Sequence, residues 1–381
     1  MPEHAGHFKG RSAYVLVLGD IGRSPRMCNH AVSLANVGFD VTLMGYEQGS
    51  NLHESVRSSP KITVSPIRTY PQWLSSWLPR LLSLPIKAFW QFVTLFCFAL
   101  PHWPGQAPDL IIVQNPPTIP TLIVTAAYTS IHRRTKVVLD WHNYGFSILQ
   151  MSFSGSLAGP LVTLAKYIES TFGPRVAAAF CVSRAMKKDL FDKWNINATV
   201  LYDRPLETFR PCSIEEKYQL MSKLAEIYPE IDASKIFQTD DQEEGWLRTP
   251  RLRPDRPGVL VSSTSWTPDE DFGILFKALD IYESCCGQEG STLPELICVI
   301  TGKGPQKELY KKQIAEKQWK FVKVVMPWLE PQDYPLMLGS ADLGVCLHTS
   351  SSGVDLPMKV CRVMGEKFQP PNKKTMKVGF L

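Results

Sequence analysis

Near the C-terminal end of the chain, a run of hydroxyl side chains and a glycine follows an apolar segment, residues 341–347, that is typical of a buried strand. The candidate binding residues here are Ser350, Ser351, Ser352, Gly353, Asp355 and Lys359. Pro357 suits the first turn of a helix, where no N–H group is needed. Hydroxyls, free backbone N–H groups and a helix N-terminus would converge beside a lysine, which suits a diphosphate. The alternative is a capped helix that binds nothing.

Two more loops of this half follow predicted strands at 258–261 and 296–301 and carry similar groups. Their candidate residues are Ser263, Gly302, Lys303 and Gly304. Because open α/β sheets bind ligands at the carboxyl ends of their strands, we expect all three loops to contribute to one site. Ordinary turn chemistry at three strand ends is the alternative, since serine and glycine are common turn residues.

In the first half of the chain, two loops after predicted strands carry groups that could move a proton or hold a phosphate. The candidates are Asp20, Arg23 and His142. A histidine that is merely satisfied in the core is the alternative for His142. The acids at 269–271 resemble a metal pair, but at a helix start they favour a capping role. No metal site and no cofactor are predicted.

The elements that position these loops alternate between apolar strands and helical patterns. Strands are predicted at 13–18, 40–45, 61–67, 110–114, 136–140, 178–182 and 199–201, and then from 258 onward. This order predicts an α/β protein with two parallel-sheet, Rossmann-like domains. We place them at 12–203 and 257–365, separated by a flexible linker or excursion at 204–256 and followed by a disordered tail at 366–381. Gly19 and Gly22 alone do not make a dinucleotide fingerprint.

Composition narrows the function classes. The chain has 381 residues, 44% of them hydrophobic, which fits two folded domains. The net charge of +5 permits contact with phosphates or anionic lipid but does not argue for nucleic acid. Nine cysteines without a Cys-x-x-Cys pair fit reduced thiols, and the polar N-terminus lacks the apolar core of a signal peptide.

Residues 81–100 form the most apolar segment of the chain, with its polar members in one narrow helical stripe. Lys87 and Pro85 weaken the case for a membrane span. A membrane-surface helix with aromatic anchors and a helix buried in the first domain are the other two interpretations.

Six motifs in series carry a family resemblance. They are LGDIGRSPRM (18–27), QNPP (114–117), DWHNYG (140–145), SSTSWT (262–267), ITGKGP (300–305) and DLGVCLHTSSSG (342–353). Together they resemble the chitobiosyldiphosphodolichol β-mannosyltransferases, over residues 12 to about 360. A plant-type nucleotide-sugar glycosyltransferase relative would look the same.

The resemblance implies a B-type glycosyltransferase fold, with two Rossmann-like domains facing a cleft and the second incomplete at its C-terminus. It implies GDP-mannose as donor and dolichyl-diphosphate chitobiose as acceptor, without a metal. It also implies the cytosolic face of the endoplasmic reticulum membrane, with 81–100 as the candidate contact and other dolichol-pathway mannosyltransferases as partners. The family usually begins with a membrane-spanning helix and continues beyond residue 360, so a shortened isoform without activity is one alternative. A glycosyltransferase using another nucleotide sugar is the second.

The implied chemistry is a single displacement that inverts the anomeric carbon. Asp20 is the expected base, ahead of His142, because both follow strands of the acceptor domain. Arg23 is expected to clamp phosphate and Asp355 to orient the sugar or ribose. The loop at 350–353, with Lys303 and Lys359, is expected to hold the leaving diphosphate.

Overall fold

The computed structural model describes most of the chain. The described residues are 8–47, 52, 54–71, 73, 80–96, 107–152, 158–204, 209–239, 250–267, 270–330, 332–347, 350–355 and 379–380. They form two compact units: Met1–Asp203 with Ser350–Leu356, and Arg204–Thr349 with Pro357–Leu381.

The first unit contains a seven-stranded parallel sheet. Its strands are β1 (Ser12–Asp20), β2 (Asp40–Tyr46), β3 (Ile62–Pro66), β4 (Leu110–Asn115), β5 (Lys136–Trp141), β6 (Ala178–Cys181) and β7 (Thr199–Val200). Their order in the sheet is β3-β2-β1-β4-β5-β6-β7, and every neighbouring pair is parallel. This is the parallel α/β arrangement that the alternating sequence pattern predicts.

Helices cover both faces of this sheet. They are α1 (Pro25–Val37), α2 (Glu54–Arg57), α3 (Arg80–Thr94), α4 (Thr121–Ile131), α5 (Gly145–Ser152), α6 (Ala158–Phe172) and α7 (Arg184–Trp194). One core layer joins β1 and β2 to α1, and the other joins the sheet to residues of α4, α6 and α7. Because apolar side chains pack on both faces, the central strand is buried throughout 13–17, which explains its unbroken apolar run.

The second unit contains a five-stranded parallel sheet. Its strands are β10 (Gly258–Ser263), β11 (Leu296–Thr301), β12 (Val322–Val325), β13 (Leu343–Cys346) and β14 (Gly379–Phe380), in the order β12-β11-β10-β13-β14. The helices that follow β10, β11 and β12 are α10 (Phe272–Cys286), α11 (Lys307–Ala315) and α12 (Asp333–Ser340).

The sequence predicts a flexible linker or excursion at 204–256, but most of the described part of this segment is ordered and folds onto the second sheet. It forms α8 (Ile214–Ala225), α9 (Ala233–Ile236), β8 (Phe237–Thr239) and β9 (Pro250–Leu252). A capping box starts α8: Ser213 accepts from the Glu216 N–H, and Glu216 accepts from the Ser213 N–H. Apolar side chains from this segment share a core with β10, β11 and α12. The acidic run at 240–244 lies outside the described residues.

On helix α3, polar side chains face the protein and an apolar side chain faces solvent. Ser83 and Thr94 of its polar stripe are buried, and Gln91 donates to the Tyr46 hydroxyl at 3.0 Å. Phe89, in contrast, is 69% exposed. Among the described residues, no helix combines the length and apolar character needed to cross a bilayer.

Candidate active site

A buried carboxylate, Asp140, lies near the carboxyl end of β5 and gathers three cationic or titratable side chains. Arg26 of α1 donates to both carboxylate oxygens, from Nε at 2.7 Å and from Nη2 at 2.8 Å. His30, one helical turn further along α1, places Nε2 2.8 Å from Oδ2, and His142 places its Nε2 3.1 Å from the same atom. Arg26 also donates to the Leu201 carbonyl and to Asp203 beyond β7.

The charges in this cluster stabilise one another. Burial alone would raise the pKa of Asp140, but hydrogen bonds from His142, His30 and Arg26 outweigh it and hold that pKa well below its usual range. Burial works against the Arg26 guanidinium, yet its bonds to Asp140 and Asp203 raise its pKa overall. Asp140 is therefore an ionised acceptor, which fixes the Nε2–H tautomer of a neutral His142.

His142 is the member of the cluster that reaches solvent. Its side chain is 21% exposed, whereas the Asp140 side chain is fully buried. With Nε2–H directed at Asp140, the lone pair of Nδ1 is left to accept a proton. An imidazole oriented by a buried carboxylate is a recurrent arrangement for a general base.

A second buried carboxyl, Glu169 of α6, holds the backbone just after His142. Its Oε1 accepts from the Gly145 N–H at 2.7 Å, from Asn115 Nδ2 at 2.8 Å and from the Thr118 hydroxyl at 2.6 Å. Burial raises the pKa of Glu169. A Cβ at Gly145 would overlap the Thr118 side chain, so this close approach requires glycine. Glu169 thus joins the ends of β4 and β5 through their loops.

Aromatic side chains also pack around the loop that carries His142. Tyr144 packs edge-on against Trp141 and Trp194, with ring centroids 5.7 and 5.3 Å away. Its hydroxyl donates to Asp189 of α7 at 2.6 Å, and burial raises the pKa of Tyr144. The loop that carries His142 is therefore fixed on both sides.

Asp20 ends β1, and Arg23 lies in the turn that follows. Asp20 Oδ1 accepts from the Gly22 N–H at 3.1 Å, and its Oδ2 is 3.6 Å from Arg23 Nε. Asp20 therefore caps the short 3₁₀ turn at 21–23. The Arg23 side chain is 82% exposed, which leaves its guanidinium accessible to an anion.

The described part of the serine-rich loop belongs to the first unit. Asn143 Nδ2 donates to Asp355 at 3.0 Å and to the Ser351 hydroxyl at 3.1 Å, and Ser351 is 2.9 Å from the Ser147 hydroxyl. Ser183 donates to the Val354 carbonyl. Ser351 and Asp355 are thus brought beside the residue that follows His142.

The backbone N–H groups of Ser352, Gly353 and Val354 bond within this loop, which corrects the expectation that they are free. The Ser350 hydroxyl accepts from Gly353 N at 2.8 Å and from Ser352 N at 3.3 Å, and it donates to Asp355. Serine side chains compete for nearby backbone groups in this way when no helix has formed. Lys359 and the predicted helix after Pro357 lie outside the described residues.

In the second unit, the loops after β10 and β11 pack backbone against backbone. A Cβ at Gly302 would overlap the Thr264 carbonyl, and one at Gly304 would overlap the Ser265 carbonyl. Buried Glu270 accepts from the Ser265 N–H at 2.8 Å. The two glycines therefore serve close loop packing, and Ser263 ends β10 beside them.

Lys303 lies over the ring of Trp328, with Nζ 3.8 Å from the ring centroid. Trp328 follows β12 and is 52% exposed. Nearby, Lys307 donates to the Met326 carbonyl at 3.2 Å, and burial lowers the pKa of Lys307. The carboxyl edge of this sheet thus offers a cation and an exposed aromatic face, a pair that suits a nucleotide. Among the described residues, no three His, Cys, Asp or Glu side chains are grouped to hold a metal ion.

Curated relatives match nearly the whole chain. Human chitobiosyldiphosphodolichol beta-mannosyltransferase is 42% identical over 368 residues, which is 94% of this chain and 77% of that protein. The Kluyveromyces lactis protein of the same name is 37% identical over 92% of this chain and 72% of its own length. The chain belongs to the chitobiosyldiphosphodolichol beta-mannosyltransferase family. Arabidopsis thaliana "UDP-glycosyltransferase TURAN" is 40% identical, over 94% of this chain and 80% of that protein. No family model matches the chain.

Solved structures show the fold of this mannosyltransferase family member. Sucrose-phosphate synthase from Thermosynechococcus elongatus aligns with a TM-score of 0.54 at 11% identity, over 93% of this chain and 78% of that one. The catalytic domain of Arabidopsis thaliana starch synthase IV aligns with a TM-score of 0.52 at 10% identity, over 88% and 78%. The predicted family and the B-type glycosyltransferase fold are both confirmed.

Sequence reasoning singled out His142 but missed four residues around it in this mannosyltransferase: Arg26, His30, Asn143 and Glu169. Arg26 and His30 stand four residues apart on one helix, so their shared face was a usable signal. Glu169 stands between Ile168 and Phe172 on the apolar side of α6, and a carboxyl there also signals a buried role. Asn143 carries no such signal, because its partners are 208 and 212 residues away.

Proposed function

We propose that this chain transfers mannose from GDP-mannose to dolichyl-diphosphate-linked chitobiose, with inversion at the anomeric carbon. Two things support the proposal: the names of relatives at up to 42% identity, and the buried Asp140 that orients the part-exposed His142. The second observation carries the chemistry, because an inverting transfer needs a base for the acceptor hydroxyl.

The proposed step forms one bond and breaks another. The acceptor oxygen attacks the anomeric carbon of mannose as the bond from that carbon to the diphosphate oxygen breaks, and GDP leaves with the electron pair. The acceptor proton passes to Nδ1 of His142, and Asp140 stabilises the resulting imidazolium from Nε2. We favour His142 over Asp20 as the base, since Asp20 is engaged as a cap by Gly22 and Arg23.

The remaining candidate residues are proposed as substrate contacts. Lys303, beside Ser263, Gly302 and Gly304, would offset the charge that grows on the departing diphosphate. Trp328 would stack against the guanine base. Asp355, held by Asn143, would orient a sugar hydroxyl. The loop at 350–353, Arg23 and Lys359 would contact phosphate, and no resident metal or cofactor is proposed, so activity should persist in EDTA.

A comparison of the two histidines on Asp140 tests the proposal. His142→Gln should lower the turnover of GDP-mannose and a dolichyl-diphosphate chitobiose acceptor by about 10²–10⁴-fold. His30→Gln removes a contact to the same carboxylate atom but from a buried position, so it should cost stability more than rate. Full turnover by His142→Gln, with loss in Asp20→Asn, would return the base role to Asp20.

A UDP-sugar is the second candidate donor, because one 40% identical relative is named a UDP-glycosyltransferase. Thermal shifts of the purified protein with GDP, GDP-mannose and UDP-sugars separate the two. Stabilisation by a UDP-sugar alone would overturn the choice of GDP-mannose. A response to GDP-mannose that Lys303→Ala weakens and Lys311→Ala does not would support it.

We also propose that the protein acts on the cytosolic face of the endoplasmic reticulum membrane, near other dolichol-pathway mannosyltransferases. Support comes from α3, whose polar stripe faces the protein while Phe89 and the nearby Phe96 reach solvent. This exposed side of α3 suits surface insertion. Phe89→Glu should shift protein from the membrane to the soluble fraction, whereas Phe191→Glu, at an exposed site on α7, should not.

A further inference from the structure

A cavity of about 560 Å³ opens in the first unit between α4 and the turn at 172–177. Its walls come from Leu122, Ile123, Ala126, Val137, Phe172 and Val176. The volume is in the range of small-molecule sites. None of the residues that line the cavity belongs to the candidate active site.

The cavity lining is mostly apolar, and the hydroxyls of α4 that line it already have hydrogen-bond partners. Thr125 donates to the Thr121 carbonyl at 2.9 Å, Thr129 to the Thr125 carbonyl at 3.0 Å, and Ser130 to the Ala126 carbonyl at 2.8 Å. These hydroxyls are therefore bonded within α4. A ligand that fills the cavity would bury hydrocarbon there, which is favourable in proportion to the area covered.

The mouth of the cavity is basic. Lys136 and Arg175 line it, and both are exposed. Arg133 and Arg134, in the loop after α4, are exposed as well, and Ile131 beside them is 50% exposed. No aspartate or glutamate lines the cavity. Positive charge around an apolar opening complements a molecule with an anionic head and a hydrocarbon tail.

We propose that this cavity binds an anionic phospholipid, with the acyl chain inside and the phosphate at a basic rim. We define the rim as the lining residues Lys136 and Arg175 together with Arg133 and Arg134, which lie in the loop between the lining residues Ser130 and Thr135. An acidic peptide would use the cations but would leave the cavity empty, and free phosphate would leave it empty too. A phospholipid uses both features.

This lipid site is separate from the reaction centre. Lys136 begins β5, whereas His142 follows the end of the same strand. Six strand residues span about 20 Å, so the cavity opens at the opposite edge of the sheet. Helices α3 and α4 contribute to the same core layer, so the exposed side of α3 and this cavity share one face of the sheet. The inference rests on the proposed membrane association but not on the sugar chemistry.

Vesicle binding tests the rim. The full chain should sediment with phosphatidylcholine vesicles that contain phosphatidylserine and much less with pure phosphatidylcholine. Each basic side chain near an anionic surface contributes on the order of a fivefold change in binding, so Arg133→Gln/Arg134→Gln should weaken it about 30-fold. Lys187→Gln/Lys188→Gln, an adjacent exposed pair on α7, is the matched control and should bind as the wild type does.

Acyl-chain labelling tests the cavity. A phosphatidylserine with a photoreactive group in its acyl chain should cross-link to peptides within 121–137 or 172–177. Ala126→Leu and Ala127→Trp should reduce this labelling while circular dichroism stays native. Labelling elsewhere alone, or equal loss in the Lys187/Lys188 control, would overturn the proposal. Mannose transfer to a short-chain acceptor in detergent reports separately on the reaction, so the two proposals can fail independently.

Discussion

Replacing Asp140 with asparagine keeps the size of the side chain but removes the charge that Arg26, His30 and His142 share. Four contacts of 2.7 to 3.1 Å are affected. The amide can accept on one atom only, so an N–H group would face donors on the other. The guanidinium of Arg26 stays buried, with side-chain exposure of 5%.

The expected loss follows from that burial. Removing one partner of a buried ion pair costs about 3–5 kcal/mol, because the other charge is left uncompensated. Asp203 and the Leu201 carbonyl remain within 3.0 and 2.6 Å of Arg26, which favours the lower end, about 3 kcal/mol. For a domain of this size, that loss lowers the midpoint of thermal unfolding by about 6–12 °C.

Circular dichroism against temperature measures this loss, with Asp255→Asn as the control at an exposed ion pair. The pKa of Asp140 is lower in the folded protein than in the unfolded chain. The ionised carboxylate therefore stabilises the folded protein above the ordinary Asp pKa of 3.8, and this stabilisation is lost as the pH falls below that value. The difference between variant and wild type should thus be smaller at about pH 3 than at about pH 7. A loss below about 1 kcal/mol would refute the account of the cluster.

Three further predictions concern the loop after β5. Because burial raises the pKa of Glu169, the carboxylate is disfavoured in the fold, so Glu169→Gln should gain stability relative to wild type as the pH rises from about 5 to about 8 in urea titrations. Gly145→Ala should cost at least about 1–3 kcal/mol by steric overlap, whereas Gly159→Ala, with open space at its Cβ, should not destabilise. Asn143→Asp places a second carboxylate beside Asp355, so proteolysis of the 350–355 loop should quicken, and equal rates would contradict the contact.

The strand pattern and the family could be predicted from the sequence because both depend on local runs of residues. Apolar segments mark all the strands of both sheets that are four to nine residues long, and six motifs mark the family. The segment 209–239 was predicted less well. Its helix α8 has a capping box and an apolar stripe, which are local signals of a helix. The charged stretch after α8 favours a linker instead. The packing of α8 on β10 joins residues that are distant in the sequence, so the local pattern does not predict it.

The candidate site was harder to predict, because its contacts are between distant residues. Arg23 and Arg26 stand three positions apart in one motif, yet one is exposed and the other buried. The residue type is the same at both positions, so the two arginines can be distinguished only by knowing which side of α1 faces the sheet. The loop at 350–355 suggested an anion site by its serines and glycine, but these hydroxyls bond to the loop's own N–H groups. Local polar groups bond to one another when the loop geometry allows it, and residue types alone do not determine that geometry.

The partners of Arg26 have a consequence for how the protein is synthesised. Arg26 is synthesised early, but the two aspartates that pair with it follow 114 and 177 residues later. A nascent chain released only as far as β4 would carry this cation without either counter-charge. Asp140 arrives with β5, and Asp203 arrives only after β7. Such long sequence separation slows folding and places the contact late. Arg26 therefore has all of its partners only when the first unit is complete. Fragments that stop before residue 203 should be cleaved by proteases more readily than the complete unit.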